Sequence, residues 1–190
     1  MFVEADRLAL FNERGLDVDV VLDLMIHDLD IVMNIIESPL KELRVSGIAV
    51  LTALPDIASV RMEFVNGAVA NLTASRISTK NMRKLRVFQE NSYLVADYAE
   101  RRAYAVYREE EPDEDGYPQV AMEEMEIEER DALEEEVVAF LNTVKNGGAP
   151  AVDGVQGKRA LTVALEISSQ IEQQMREGKQ ATGGGSSKFF

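Results

Sequence analysis

Apolar and polar residues recur along this chain with two periods, and the switches between them mark its elements. The stretch Val18 to Glu37, VDVVLDLMIHDLDIVMNIIE, carries Leu22, Met25, Leu29, Val32 and Ile36 at spacings of three and four, as a helix buried on most sides requires. Its polar residues are gathered rather than scattered. Asp19, Asp23, His27, Asp30 and Asn34 follow at intervals of 4, 4, 3 and 4 residues, which at 3.6 residues per turn makes one narrow stripe facing a cleft or solvent. Ser38-Pro39 stops the helix, because proline lacks the N–H and disfavours a helical residue before it. Ahead of the helix, Phe2 to Leu10 predicts a short strand, followed by a loop through Asn12, Gly15 and Asp17.

From Leu40 onward the period falls to two. Leu43 to Thr52 is β-rich, and Ser59 to Val65 sets Val60, Met62 and Phe64 against Arg61 and Glu63. Asn66-Gly67 is a strong hairpin signal leading into Ala68 to Ser75. Three alternating runs follow, Lys84 to Gln89, Tyr93 to Tyr98 and Arg102 to Tyr107, turned by Glu90-Asn91-Ser92 and Ala99-Glu100-Arg101. Arg83, Lys84 and Arg86 read as the outward face of a strand. Glu109 to Gly116, EEEPDEDG, is a self-repelling solvated loop without the ligand spacing of an EF-hand, and Gln119 to Glu128 reads as a last, partly exposed strand. Asp131 to Asn146 and Gly154 to Glu177 have helical spacing, the first ended by Asn146-Gly147-Gly148. The fold predicted for residues 1–180 is α+β: a mainly antiparallel open sheet of about six strands with helices on one face. Residues 181–190, containing TGGGSSK, have the composition of a flexible tail.

Charge narrows the partners. With 34 acidic against 20 basic residues the formal charge is -14, and no basic cluster stands out, so neither nucleic acid nor an anionic membrane is an expected partner. The chain has no cysteine, which fits a cytoplasmic protein. Glu4, Asp6, Arg7, Glu13 and Arg14 interrupt the first fifteen residues, which therefore lack the apolar core of a secretory signal. No uncharged apolar run of about 18 residues predicts a membrane span. A strand so close to Met1 suggests that the chain was cut from something longer or that its first residues join an existing sheet.

Candidate chemistry centres on the only histidine. One turn apart on the helix, the Asp23 carboxylate is placed to orient the His27 imidazole and favour its protonated form, as a proton-transfer catalyst needs. The alternative is a solvated helix face with a surface histidine. A metal on Asp23, His27 and Asp30 is not expected, since one histidine with carboxylates on a single helix is a poor transition-metal set. Gly147 to Gly157 is no Walker loop: Val152 stands where its first glycine belongs and Arg159 where its hydroxyl residue belongs. Neither a strand-GxGxxG-helix unit nor a GxSxG nucleophile turn occurs.

The order of elements and their residues together resemble a known family. Asp23 to Ile31, DLMIHDLDI, is similar to the D-x-x-x-H-D-x-D helix that opens the carboxyl-terminal domain of the Gfo/Idh/MocA dehydrogenases. FVEADRLA resembles the first strand after their dinucleotide-binding domain, and EFVNGAVANLTASR, Glu63 to Arg76, their strand-NG-strand hairpin. Glu134 to Gly157, EEEVVAFLNTVKNGGAPAVDGVQG, resembles their closing helix-Gly-x-x-Pro segment. The resemblance implies a dihydrodipicolinate-reductase-like fold and hydride transfer between NAD or NADP and a sugar, inositol or related hydroxyl carbon. It makes His27 the general base and Asp23 its orienting or substrate-binding partner, with Asp30 and Arg7 as weaker substrate-binding candidates. The cofactor would sit on an amino-terminal Rossmann domain that this sequence does not contain, so no cofactor is expected on this chain alone. MIHDLD most resembles oxidoreductases of bacterial surface-polysaccharide or lipid A pathways, which implies a nucleotide-linked sugar. The sheet face opposite the helices, with Val60, Met62 and Phe64 or their neighbours, is expected to lack a cover, predicting a homo-oligomer as in the family. Two functions follow: the substrate-binding, oligomerising half of a dehydrogenase, inactive without its other half, or a stand-alone non-catalytic interaction module of the same fold.

Overall fold

The structure, a computed structural model, describes residues 1–13, 15–128 and 130–181; the expected flexible tail from Thr182 onward lies outside them. Eight strands and three helices follow in the order β1 (Phe2–Leu8), α1 (Ile26–Ile35), β2 (Leu40–Ile48), β3 (Ile57–Phe64), β4 (Val69–Ser75), β5 (Met82–Gln89), β6 (Ser92–Asp97), β7 (Arg102–Arg108), β8 (Val120–Met125), α2 (Ala132–Asn146) and α3 (Gly154–Ala181). The strands form one sheet in the order β2-β3-β4-β1-β5-β6-β7-β8. Neighbours are antiparallel except β1 and β4, which run parallel from Phe2 opposite Val69 to Leu8 opposite Ser75. The α+β class holds, with eight strands rather than about six.

Alternation along the strands decides which side chains meet the helices. Ala58, Val60, Met62 and Phe64 of β3, Ala70, Leu72 and Ala74 of β4, and Val3 and Ala5 of β1 share one core with Met25, Leu29, Val32 and Met33. Val60, Met62 and Phe64 therefore do not lie on an uncovered face; each is at most 1% exposed in the core. The opposite face is largely ionic. Arg86 pairs there with Glu4 at 3.2 Å and Asp6 at 2.8 Å, and Lys84 with Asp97 at 2.9 Å. An aromatic row, Phe2, Phe88 and Tyr93, crosses its end with ring centroids 5.9 and 5.5 Å apart.

The Asn66-Gly67 turn forms as the sequence predicts. Gly67 N–H donates to Phe64 O at 3.0 Å, and Gly67 adopts φ +83°, a left-handed conformation that favours glycine. Helix α3 packs Ala160, Ala164, Ile167 and Ile171 into the core. It approaches β2 so closely that a Cβ on Gly47 would lie 2.6 Å from Ile171 Cγ2. Helix α2 is capped by Asp131, whose carboxylate accepts from Leu133 N and Glu134 N, yet buries no side chain.

Candidate active site

The predicted polar stripe begins in a place where the helix is not an α-helix. A π-helical turn, Val21–Met25, precedes α1, and Ile26 N–H donates to Val21 O five residues back. A π-turn closes its hydrogen bond one residue later than an α-turn, so the constant 3.6-residue period that defines a single stripe does not run through it. The stripe accordingly splits. Asp19 is buried as a cap, accepting from Val21 N at 2.8 Å and Leu22 N at 3.0 Å. Asp30 accepts from Asn34 Nδ2 at 3.3 Å, and Asn34 Oδ1 accepts from Gln156 Nε2 of α3 at 3.1 Å, so this end of the stripe belongs to a helix–helix contact. Asp23 and His27 line two separate recesses. Among the described residues no hydrogen bond or ion pair joins them, so Asp23 does not orient the imidazole as the sequence suggests.

The His27 recess encloses about 900 Å³. Its walls come from α1, β1, β5, the β6–β7 turn and the segment leading into α2, with Arg7, His27, Arg83, Asp97, Tyr98 and Arg101 among the lining residues. Alternation along β1 sends Arg7 to the helix side, after Val3 and Ala5. There it meets Asp28 in a two-armed pair, Nε donating to Oδ2 at 2.8 Å and Nη2 to Oδ1 at 2.7 Å. Both side chains are about nine-tenths buried, at 12% and 11% exposure, so the fork is a fixed part of the floor. His27 itself is exposed.

Two titratable neighbours are perturbed. Burial raises the Tyr98 hydroxyl above the ordinary phenol range and the Asp28 charge adds to this, while Arg7 opposes them. Burial also penalises the Asp97 carboxylate, but a hydrogen bond from Lys84 and the N–H groups of Glu100 and Ala99 outweigh it, leaving Asp97 below the usual carboxylate range. Arg83 is a further correction. It lies on the helix side, in register with Arg7, whereas Lys84 pairs on the other face.

The Asp23 recess, about 570 Å³, is lined by Phe11, Gly15, Leu24, Arg76 and Asn81 among others. Gly15 sits at φ +72°. Arg76 is 4% exposed and ties the loop together. Its Nε donates to Asp56 Oδ1 at 3.0 Å, and its Nη1 to Val18 O at 2.8 Å and Gly15 O at 3.2 Å. Asp56 is fully buried. Burial pushes its carboxyl up, but N–H donors from Thr52, Val50 and Leu51 and the Thr52 hydroxyl overcome this and hold it well below the usual carboxylate range.

Sequence reasoning named His27, Asp23, Arg7 and Asp30; it missed Asp28, Arg83, Tyr98 and Arg101. The residue after His27 offered a signal, since a carboxylate on the buried side of a helix needs a cation. The cation, though, is 21 residues away.

Among known proteins, the chain is 36% identical over 171 residues to the UDP-N-acetylglucosamine 3-dehydrogenase of Acidithiobacillus ferrooxidans, covering 90% of this chain and 54% of that protein. The solved structure of that enzyme superposes with a TM-score of 0.83, covering 90% of this chain and 55% of that one. The myo-inositol 2-dehydrogenase of Thermotoga maritima is 27% identical over 162 residues, 81% of this chain and 47% of that protein. An oxidoreductase domain protein from Kribbella flavida shares the fold at 13% identity, with a TM-score of 0.76 over 91% of this chain and 56% of that one. The chain spans about half the length of the curated relatives it matches. No described helix is long and apolar enough to cross a membrane. Residues 6–95 match the GFO/IDH/MocA C-terminal domain, and with that agreement of sequence and fold the chain belongs to the Gfo/Idh/MocA oxidoreductase family, through its C-terminal domain.

Proposed function

We propose that residues 1–180 are the substrate-binding half of an NAD(P)-dependent dehydrogenase acting on a hydroxyl carbon of a sugar nucleotide, sugar or polyol in the cytoplasm. The observation that carries this reading is His27, exposed on a recess of about 900 Å³ whose floor is the fixed Arg7–Asp28 fork, in a chain of this family. Support comes from the two relatives named for dehydrogenation of UDP-N-acetylglucosamine and of myo-inositol.

The dinucleotide has no cradle among the described residues. The loop after β1 offers Gly15 alone, and Gly147, Gly148, Gly154 and Gly157 stand in open space instead of in a turn between a strand and a helix. No residue of this chain is therefore assigned to NAD(P), and another domain of a longer protein would hold it. What this chain supplies is the substrate side. His27 takes the proton of the reacting hydroxyl. Arg7, its charge answered by Asp28, gives the recess a fixed polar edge, and Asp23, on its own recess, binds a second hydroxyl of the substrate. Asp30 braces α1 against α3. The open sheet face, with its Phe2–Phe88–Tyr93 row, is the surface through which copies associate.

The test is to join the chain to the nucleotide-binding half of the Acidithiobacillus relative and follow NAD(P) reduction with UDP-N-acetylglucosamine and myo-inositol. His27→Ala should lower kcat/KM by about 10²–10⁴-fold with the circular dichroism spectrum unchanged. A folded, cofactor-loaded fusion that oxidises neither compound, or is indifferent to His27→Ala, would overturn the reading in favour of a non-catalytic module.

A further inference from the structure

The His27 recess holds more positive charge than its own carboxylates answer. Arg7 and Arg83 are direct cross-strand neighbours on β1 and β5, a placement in which like charges repel. Among the described residues every carboxylate on the lining, and Asp28 next to His27, is already engaged. Asp28 is taken by both arms of Arg7, Asp97 by Lys84 at 2.9 Å, Glu128 by Arg130, and Asp131 by the N–H groups it caps at the start of α2. Arg102 is held by Glu124 at 2.9 Å. That leaves Arg83 and Arg101. Among the described residues neither guanidinium has a hydrogen bond or an ion pair.

In a chain with 34 acidic to 20 basic residues, two arginines on one recess with no carboxylate partner among the described residues are conspicuous. Arg101 also keeps a left-handed backbone, φ +52°, which a glycine would adopt more easily. A guanidinium is a flat fork of donors that matches a phosphoryl group with two parallel hydrogen bonds and loses little on leaving water. The recess, about 900 Å³, is at the upper end of small-molecule sites and larger than a free hexose requires.

We propose that Arg83 and Arg101 clamp the phosphoryl groups of the substrate, so that the recess takes a nucleoside-diphosphate-linked sugar and not a neutral polyol. The assignment rests on the recess being the substrate site of the proposed dehydrogenase. The same phosphoryl chemistry is carried by NAD(P), so the test separates the two sources.

Calorimetric titration of the full chain, alone and in the fusion, with UDP, inorganic pyrophosphate, NADH and myo-inositol decides it. UDP should saturate one site, pyrophosphate should compete for it more weakly, and raising salt should weaken both. Arg83→Ala and Arg101→Ala should each cost roughly tenfold or more in affinity, with an intermediate loss for Arg83→Lys, which keeps the charge without the fork. Both positions are exposed, so folding should be unaffected, as circular dichroism would verify. Absence of UDP binding in both proteins, or binding indifferent to the two arginines, overturns the clamp. NADH binding as tightly as UDP with the same arginine dependence overturns its assignment to the substrate. A fusion that oxidises myo-inositol through His27, unaffected by Arg83→Ala and Arg101→Ala, removes the clamp and leaves the dehydrogenase standing. Arginine-dependent UDP binding in a fusion that oxidises nothing retains the anion site and removes the catalysis.

Discussion

The two halves of the sheet are different materials. Over β2-β3-β4-β1 lie α1, the π-turn and α3, and the strands between them turn Val60, Met62, Phe64 and Leu72 into a core at no more than 1% exposure. Over β5-β6-β7-β8 the helix side is partly bare: β8 is mostly exposed, and α2 carries Leu133, Phe140 and Val144 at 69%, 63% and 67% exposure. Both halves have the apolar periodicity of packed elements, but in the second only the inner strands reach the core, through Leu85, Val87 and Ala96, while β8 and α2 bury little among the described residues. The His27 recess lies along the seam between them, its floor fixed by the covered half through Arg7 and Asp28 and its wall supplied by the uncovered half through Tyr98 and Arg101. A rigid floor with an open wall suits a site completed by another domain.

The contrast is sharpest in stability. Phe64→Ala in the covered half should cost about 3–5 kcal/mol, because the side chain leaves a cavity that close-packed neighbours cannot fill, read as a fall in the denaturant midpoint. Asp56→Ala should approach the same size, about 3–5 kcal/mol, since it strands Arg76 and frees the Gly15–Val18 loop as well as the N–H groups of Val50 to Thr52. Gly47→Ala should cost about 1–3 kcal/mol by overpacking against Ile171 Cγ2 and Cδ1, and adding Ile171→Val, which removes only Cδ1, should recover little of it.

Acid should act on the covered half through Asp56. Its folded-state pKa is depressed, so the contribution it makes is present above the unfolded carboxyl value of about 4 and is lost as pH falls below that towards the folded value. Denaturant midpoints measured between pH 7 and pH 2 should fall below about pH 4, and Asp56→Asn should flatten that fall. The smallest effect belongs to α2. Phe140→Ala in the chain by itself should change stability by less than about 0.5 kcal/mol, and amide exchange in α2 should be fast relative to α3. If Phe140→Ala costs as much as Phe64→Ala, the two halves are equally packed and the contrast is lost.

Much of this was legible in the amino-acid order. All eight strands overlap segments read as β from the amino-acid order, most of them by alternation, although the sheet expected from them was smaller. Asn66-Gly67, the Ser38-Pro39 stop and the glycines after α2 fell where local backbone chemistry requires them. His27 was identified as the candidate base because a lone imidazole on an apolar helix stands out. The Asp23–His27 pair was not legible, because a spacing argument assumes a constant helical pitch and the π-turn changes it. Which face of β3 is covered, that of Val60, Met62 and Phe64 or that of their neighbours, was left open for a related reason. Alternation separates two faces and does not say which one meets the helices.

By itself, then, the sequence determined the identity and order of the elements and the turns between them, since each depends on interactions within a few residues. Tertiary structure alone decided that Arg7 is held by Asp28, that Arg83 and Arg101 face the same recess with no carboxylate partner among the described residues, and that α2 lies exposed. Those outcomes depend on which strands are neighbours and in what register, and a one-residue slip would send each side chain to the other face.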